Sequence, residues 1–433
     1  MEDENMSEFL DLNELETFWN KIKLNLKDKN LEKEKIALED SLGRICGEKI
    51  KAKENLPPFS RSTVDGFAIK AGDSAGASAV LPTYFEVIGE VEMGEETDLE
   101  IGEGEAAAIP TGGMLPKGVD AVLMVEYTEY LDDNTIETSK AVAAGENVVL
   151  KGEDIEKGKT LFADGHRVRP RDIGAMAGLG ITEFEVYKKP KVAVISTGDE
   201  LVEPGKKAGP GEIKDINSFS ITSLLSSYGA KTKRVGIVKD EFELLKNSVE
   251  NNLDSDLVLI SGGSSVGIKD MTIKILNSIG EPGVLLHGLS IKPGKPTILA
   301  VIDGTPVIGL PGHPASAWTV TRILLKPIIQ FLIGEIEAEE IGRINKKITE
   351  NNFDYSFKAE LTRNVVSDKG REEYIPVRLF RDNEKLRAEP ILGKSSLITT
   401  LVRGDALIRI DTYEEGKNKG EMVKVELIEP EIY

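Results

Sequence analysis

Two periods run through the apolar residues of this chain, and the switches between them divide it. Leu12, Leu15, Phe18, Trp19 and Ile22 recur at helical spacing within residues 8–26, which predicts an amphipathic N-terminal helix. Residues 36–50 (IALEDSLGRICGEKI) predict a second, shorter helix. Pro57 and Pro58 then forbid helix, and Val64 to Ile69 read as strand. From 80 to 140, short apolar runs such as YFEVIGEV and AVLMVEYTEY alternate with Gly and Pro turns, the pattern of a small β-rich domain. Residues 145–189 mix turns with a short Gly/Ala-rich helix around Ile173–Leu179.

Between 190 and 335, strand and helix alternate. KVAVIS (191–196) is a strand, and NSFSITSLLSSYG (217–229) is a helix capped by Asn217 and closed by Gly229. Strand TKRVGIV, helix EFELLKNSVENNL and strand LVLIS follow, then a helix opened by Asp270. TILAVIDGTPVIGLP reads as a hairpin turning at Asp303-Gly304, before a closing helix ASAWTVTRILLKPIIQFL. This order predicts a mostly parallel sheet covered by helices on both faces. Beyond 340, period-two runs such as GDALIRI and EMVKVELI predict a C-terminal β domain. The expected fold class is multidomain α/β plus β. Its parts are an N-terminal and linking region (1–55 with 145–189), a β-rich domain (56–144), an αβα domain (190–335) and a C-terminal β domain (336–433).

In open αβ sheets, ligands bind beyond the carboxyl ends of the strands. Four polar clusters fall at such ends: STGDEL (196–201), GEIKDINS (211–218), SGGSSVGIKD (261–270) and GLPGHPAS (309–316). Topology would gather them on one rim. The Ser261, Gly262, Gly263, Ser264, Ser265 loop, followed by a helix start, suits a phosphate or another anion. Lys292 and Lys295 in IKPGKP add positive charge, while Asp199, Glu200, Asp215 and Asp270 add carboxylates. Carboxylates beside an anion cradle make sense if Mg²⁺ bridges them to phosphate oxygens. Taken singly, each residue also has a plain structural use. Asp270 and Asn217 suit helix caps, Asp199 and Glu200 a solvated turn, Pro311 and Pro314 a strand stop and helix start, and the lysines a wet surface. RSTVDGFA (61–68) and IPTGGMLPKGVDAVLM (109–124) read as a hairpin turn and a glycine loop.

Composition narrows the chemistry. A net charge of −20 over 433 residues argues against general nucleic-acid binding, because phosphate backbones would be repelled. Cys46 is the single cysteine, so no intrachain disulfide forms and a reducing compartment fits. His166, His287 and His313 are too scattered for a zinc motif. The N-terminus MEDENMSEFL lacks the basic start and apolar run of a signal peptide. ILLKPIIQFLIG (323–334) falls short of the roughly 20 residues needed to cross a bilayer. These features predict a soluble cytoplasmic protein with no membrane or nucleic-acid partner.

PPFSRSTVDGFA, IPTGGMLPKGVDAVLMVE, GEDI, ISTGDEL, GEIKDIN, SGGSSVGIKD, IKPGKP and GLPGHPAS occur in the order and spacing of the molybdopterin molybdenumtransferases. The chain resembles this MoeA family, which is related to the gephyrin C-terminal domain, over nearly its whole length. The resemblance implies an elongated homodimer of four-domain subunits, the third domain binding molybdopterin, with a cleft shared between subunits. It implies insertion of molybdate or tungstate into adenylylated molybdopterin, with release of AMP and a need for Mg²⁺. Asp65, Thr111, Asp154, Glu200, Asp215 and Asp270 would be its catalytic residues. Asp215 and Asp270 would hold Mg²⁺, and Lys292, Lys295, Pro311 and Pro314 would join the Ser261–Ser265 loop in binding. A molybdopterin adenylyltransferase and acceptor apoenzymes would be further partners. Many members carry an arginine run before GEDI, where this chain has Val149-Leu150-Lys151, and His313 stands where Asn is common. Two rival readings are an adenylyltransferase, which shares the αβ domain, and a non-catalytic scaffold or peptide-binding protein.

Overall fold

The structure is a computed structural model that describes residues 13–26, 29–262, 266–342 and 356–428. It divides into two compact units, Glu34–Val186 and Met1–Lys33 with Tyr187–Tyr433. Helix α1 (Leu15–Leu26) belongs to the second unit and buries Phe18, Trp19, Ile22 and Leu26, the stripe its periodicity predicts.

The unit Glu34–Val186 is built on a six-stranded sheet. Its strands are β1 (Gly66–Ile69), β2 (Thr83–Glu90), β3 (Glu105–Ile109), β4 (Ala121–Met124), β5 (Thr128–Tyr130) and β6 (Thr135–Thr138), in the order β4-β1-β3-β2-β6-β5. Phe67, Ile69, Phe85, Leu123 and Ile136 fill its core. The β-rich reading of 80–140 holds. Helix α2 (Pro170–Gly178) starts on a proline, and a box formed by Arg169 and Asp172 closes its first turn.

The helix expected over 36–50 is absent. Leu38–Asp40 makes one 3-10 turn, Gly43 turns the chain at φ 74°, and Ile50–Lys51 is a strand. Ile45 and Cys46 form bridges with Arg167 and Val186. Pairing with distant strands overrides a helical period that two glycines already interrupt.

In the second unit the parallel sheet follows the order β8-β7-β9-β13-β12-β10. Its strands are β7 (Lys191–Thr197), β8 (Lys231–Val238), β9 (Leu257–Gly262), β10 (Pro282–His287), β12 (Ile298–Ile302) and β13 (Thr305–Leu310). The first four in that order run parallel, β12 runs antiparallel to β13, and β10 runs antiparallel to β12. Asp303 and Gly304, both at positive φ, make the hairpin turn between β12 and β13.

Helices α3 (Asn217–Ser227), α4 (Phe242–Glu250), α5 (Val266–Ile279), α6 (Pro314–Val320) and α7 (Lys326–Leu332) accompany this sheet. A π-turn over Thr321–Leu325 joins α6 to α7, just before Pro327. Wider winding there accommodates a residue that has no N–H to give to the helix ladder.

Strand β11 (Ile291–Lys292) leaves the parallel sheet and joins the C-terminal one. There β14 (Ser356–Leu361), β15 (Glu372–Asp382), β16 (Lys385–Pro390), β17 (Ala406–Ile410) and β18 (Met422–Leu427) close on themselves, because β17 pairs with both β18 and β15. Leu361, Ile375, Val377, Ile408 and Val425 are buried inside. Arg322, buried on the π-turn, ties this barrel to the αβ layer by donating to Glu426 Oε1 at 2.9 Å and to the carbonyls of Leu427 and Ile428.

Candidate active site

Parallel register places Ser196 beside Ser261, and Ser261 beside Leu310, so the carboxyl ends of β7, β9 and β13 lie level. The loops that follow meet there. Asn217 is the joint: its Nδ2 donates to Ser261 Oγ at 2.9 Å and to the Gly312 carbonyl at 2.8 Å. Both amide hydrogens are thus committed, while the buried Oδ1 has no partner among the described residues. Gly262 shows why glycine is needed at the end of β9. Its φ is +137°, and a Cβ would sit 2.0 Å from the Thr197 carbonyl oxygen. Gly263, Ser264 and Ser265 lie outside the described residues.

The cap of α3 is Asp215, not Asn217. Asp215 Oδ1 accepts from the Ser218 N–H at 3.1 Å, and Oδ2 accepts from the hydroxyls of Ser218 (2.6 Å) and Ser196 (2.9 Å). Arg234, on β8, approaches Oδ2 at 3.7 Å, donates Nε to Ser218 Oγ at 2.8 Å, and covers the Phe219 ring. The carboxylate of Asp215, 2% exposed, is therefore occupied by its own neighbourhood. Asp270 does not open its helix either. The helix α5 already begins at Val266, which leaves Asp270 exposed one turn in. Among the described residues, no three His, Cys, Asp or Glu side chains converge to hold a metal. Glu200 is exposed on the loop after β7. Asp240, at the end of β8, accepts from Thr197 Oγ1 at 2.6 Å, and its N–H reaches Asp199 at 3.3 Å.

Lys292 and Lys295 flank a cavity of about 530 Å³ that Pro311, Gly312 and His313 also line. Pro314 follows as the first residue of α6. The other wall comes from the barrel and its loops, with Arg371, Glu373, Lys394 and Ser395. Four cations face one carboxylate. Parallel pairing of β11 with β15 sets Lys292 opposite Glu373, and Nζ lies 3.1 Å from Oε1. Lys295, Arg371 and Lys394 have no acidic partner among the described residues. His313 Nδ1 meets Ser395 Oγ at 2.9 Å across the cavity mouth. Such a set of cations, with few carboxylates to satisfy, is chemically a receptor for phosphate and oxoanion groups.

Within the unit Glu34–Val186, Asp65 and Thr111 come together. The Thr111 N–H donates to Asp65 Oδ1 at 2.7 Å. That N–H, helped by the Thr111 hydroxyl, holds the Asp65 carboxyl below the usual carboxylate range. The glycine-loop reading of 109–124 holds, with Gly112 at φ 88°. The hairpin-turn reading of 61–68 does not, because Arg61–Ser62 pairs with Val148–Val149 while Gly66–Ile69 joins the six-stranded sheet. The bend between them places a charged acid on a threonine. Asp154 is exposed in its own turn. Val149 pairs with Arg61 across a two-stranded ladder, which sets a guanidinium-bearing residue opposite the stretch where relatives' arginines were expected.

Sequence reasoning missed Arg234, Asp240, Arg371 and Glu373, and read Asn217 as a cap. Asp240 could have been found, since it ends a strand pointing at the same rim. Arg371 and Glu373 lie in a segment without a motif, and only the β11–β15 pairing brings them to the lysines.

Family models match in three consecutive stretches: the MoeA N-terminal region (domain I and II) over residues 12–180, a probable molybdopterin-binding domain over 193–330, and the MoeA C-terminal region (domain IV) over 358–428. The chain is 31% identical over 405 residues to the molybdopterin molybdenumtransferase of Bacillus subtilis, covering 92% of this chain and 91% of that one. It is 35% identical over 303 residues to the enzyme of that name from Haemophilus influenzae, covering 70% and 73%. Two crystal structures of molybdopterin biosynthesis MoeA proteins from Pyrococcus horikoshii superpose with TM-scores of 0.80 and 0.78, at 36% and 29% identity. They cover 96% and 94% of this chain and 99% of theirs. Among the described residues, no helix is long and apolar enough to cross a membrane.

Proposed function

The chain belongs to the MoeA family of molybdopterin molybdenumtransferases, enzymes of molybdenum cofactor biosynthesis. From that premise we propose that it inserts molybdate, or tungstate, into adenylylated molybdopterin and releases AMP in a Mg²⁺-dependent reaction. The observation that carries this reading is the cavity walled by Lys292, Lys295, Arg371 and Lys394 in a chain of net charge −20. A cluster of four cations, three of them without an acidic partner among the described residues, in so acidic a protein suits a substrate that brings phosphates and an oxoanion. AMP is the leaving group, and the cations offset charge that gathers on the phosphate oxygens as the anhydride breaks. Ser261, Gly262 and the residues that follow would receive the pterin phosphate. Pro311 and Pro314 would fix the loop that Asn217 anchors. Mg²⁺ would enter with the phosphates, reached by exposed carboxylates such as Glu200 and Asp270 more readily than by the enclosed Asp215.

Asp65, Thr111 and Asp154 belong to this proposal as residues that shape the molybdate end from a second subunit of a homodimer. The four-domain division, with its linking region split between 1–55 and 145–189, belongs to it as well. So do a molybdopterin adenylyltransferase and acceptor apoenzymes as partners, in a cytoplasmic setting. The test is AMP release from adenylylated molybdopterin with Mg²⁺, comparing molybdate, tungstate and no oxoanion. Release that needs an oxoanion is expected. Folded protein that releases none with either oxoanion would overturn the reading.

A further inference from the structure

A cavity built for anions has a buried acid in its wall. Glu373 is 8% exposed, and its carboxylate is held at both oxygens. Oε2 accepts from Ser367 Oγ at 2.7 Å, and Oε1 lies 3.1 Å from Lys292 Nζ. Asp368, mostly exposed, stands 3.9 Å from the same ammonium. The contact is set by backbone as well as by side chains, because Lys292 and Glu373 are register partners on β11 and β15. By Coulomb's law alone, a carboxylate here opposes any anionic ligand. Burying it also requires a partner that satisfies it. The structure meets that requirement with one of the two lysines of IKPGKP, while Lys295 has no acidic partner among the described residues.

We propose that Glu373 is a positioning residue that sets the charge of the cavity. It fixes Lys292 Nζ on the wall and withdraws one positive charge, so a tetrahedral oxoanion or phosphate is held by Lys295, Arg371 and Lys394 and only partly by Lys292. Affinity is thereby held below what four free cations would give, and an anionic product can leave. A purely structural Glu373 would do none of this, and the two roles predict opposite signs on ligand affinity. This inference rests on the reading of the cavity as an oxoanion and phosphate pocket.

The experiment is titration calorimetry of tungstate into the full chain, for the wild type, Glu373→Gln and Glu373→Asp. Glu373→Gln keeps the shape and the Ser367 contact but leaves Lys292 with only the exposed Asp368 at 3.9 Å. Tungstate should then bind more tightly, on the order of tenfold, with a steeper loss of affinity as salt is added. In turnover, KM should fall while kcat also falls, because release slows. Glu373→Asp keeps the charge and should stay within about twofold of the wild type. Equal or weaker binding by Glu373→Gln, with wild-type thermal unfolding, would overturn the inference while leaving the pocket intact. Absence of tungstate binding by the wild type would instead overturn the reading of the cavity itself. If Glu373→Gln does not fold, Lys292→Gln and Lys295→Gln decide. Lys295→Gln removes a cation that holds the anion directly and should weaken binding several-fold more than Lys292→Gln, and equal losses would overturn the inference.

Discussion

Asn217 leaves one buried acceptor, Oδ1, without a donor among the described residues, while its amide group clips Ser261 to Gly312. Burying a polar atom unpaired is unfavourable, and where it persists a ligand or an ordered water is the usual source of the missing donor. Asn217→Ala should therefore lower stability by about 1–3 kcal/mol, read by urea unfolding. It should lower AMP release by a larger factor than that stability loss explains, because two loops of the site lose their shared anchor. Activity that falls only in proportion to the folded fraction would remove Asn217 from the site. Asp172 is a purely structural counterpart in the other unit. Burial pushes its pKa up, but hydrogen bonds from Arg169 and His166 outweigh burial and bring it down to about 2. A depressed acid contributes stability above its unfolded value, near 3.8, and loses that contribution as pH falls toward 2. Asp172→Asn should be less stable than the wild type at neutral pH by about 1–3 kcal/mol. The gap should close between roughly pH 4 and pH 2. A gap that stays constant over that window would show that charge is not what Asp172 contributes.

At the scale of elements, Gly66 explains the stretch VDGFA better than the turn reading did. It opens β1, which is paired on both sides, with β4 and β3, and a Cβ there would lie 1.8 Å from the Leu123 carbonyl oxygen. Gly66→Ala should force β1 away from β4 and cost several kcal/mol, as overpacking against backbone does. Limited proteolysis should then cut within 66–138 while the αβ sheet stays protected, and uncut protein would contradict this account of the strand. The elements that sequence reading found share one property: their signal is local. β7 and β9 are apolar on both faces, Asp303-Gly304 announces its own hairpin, and α1 carries a complete helical stripe. What it missed depends on distant partners. The helix expected at 36–50 yields to bridges with Arg167 and Val186, and the caps expected at Asn217 and Asp270 yield to Asp215 and to a helix that starts at Val266. The same division holds in the candidate site. Lys292, Lys295 and Pro311 are legible as motif residues on one rim, whereas Arg371 and Glu373 reach the cavity through a pairing of β11 with β15 that no local pattern encodes.

For the whole molecule, the sign of the local charge opposes the sign of the total. The chain carries −20, yet the cavity beside Lys292 and Lys295 is walled by four cations and one acid. An anion approaching from bulk solvent meets the total field first and the cavity field last, and salt screens the two differently. The screening length is about 30 Å at 0.01 M and about 10 Å at 0.1 M. Adding salt within that range removes repulsion from distant carboxylates while the cavity cations, a few ångströms from the bound anion, still attract it. Further salt then weakens that attraction too. The association rate of tungstate should accordingly rise with salt, pass through a maximum near 0.1 M and fall beyond it, as followed by stopped-flow mixing. A rate that falls from the lowest salt onward would mean the cavity field already dominates at long range, as it would in a protein without a strong net charge. The maximum should move to lower salt in Glu373→Gln, because freeing Lys292 strengthens the local attraction against an almost unchanged total.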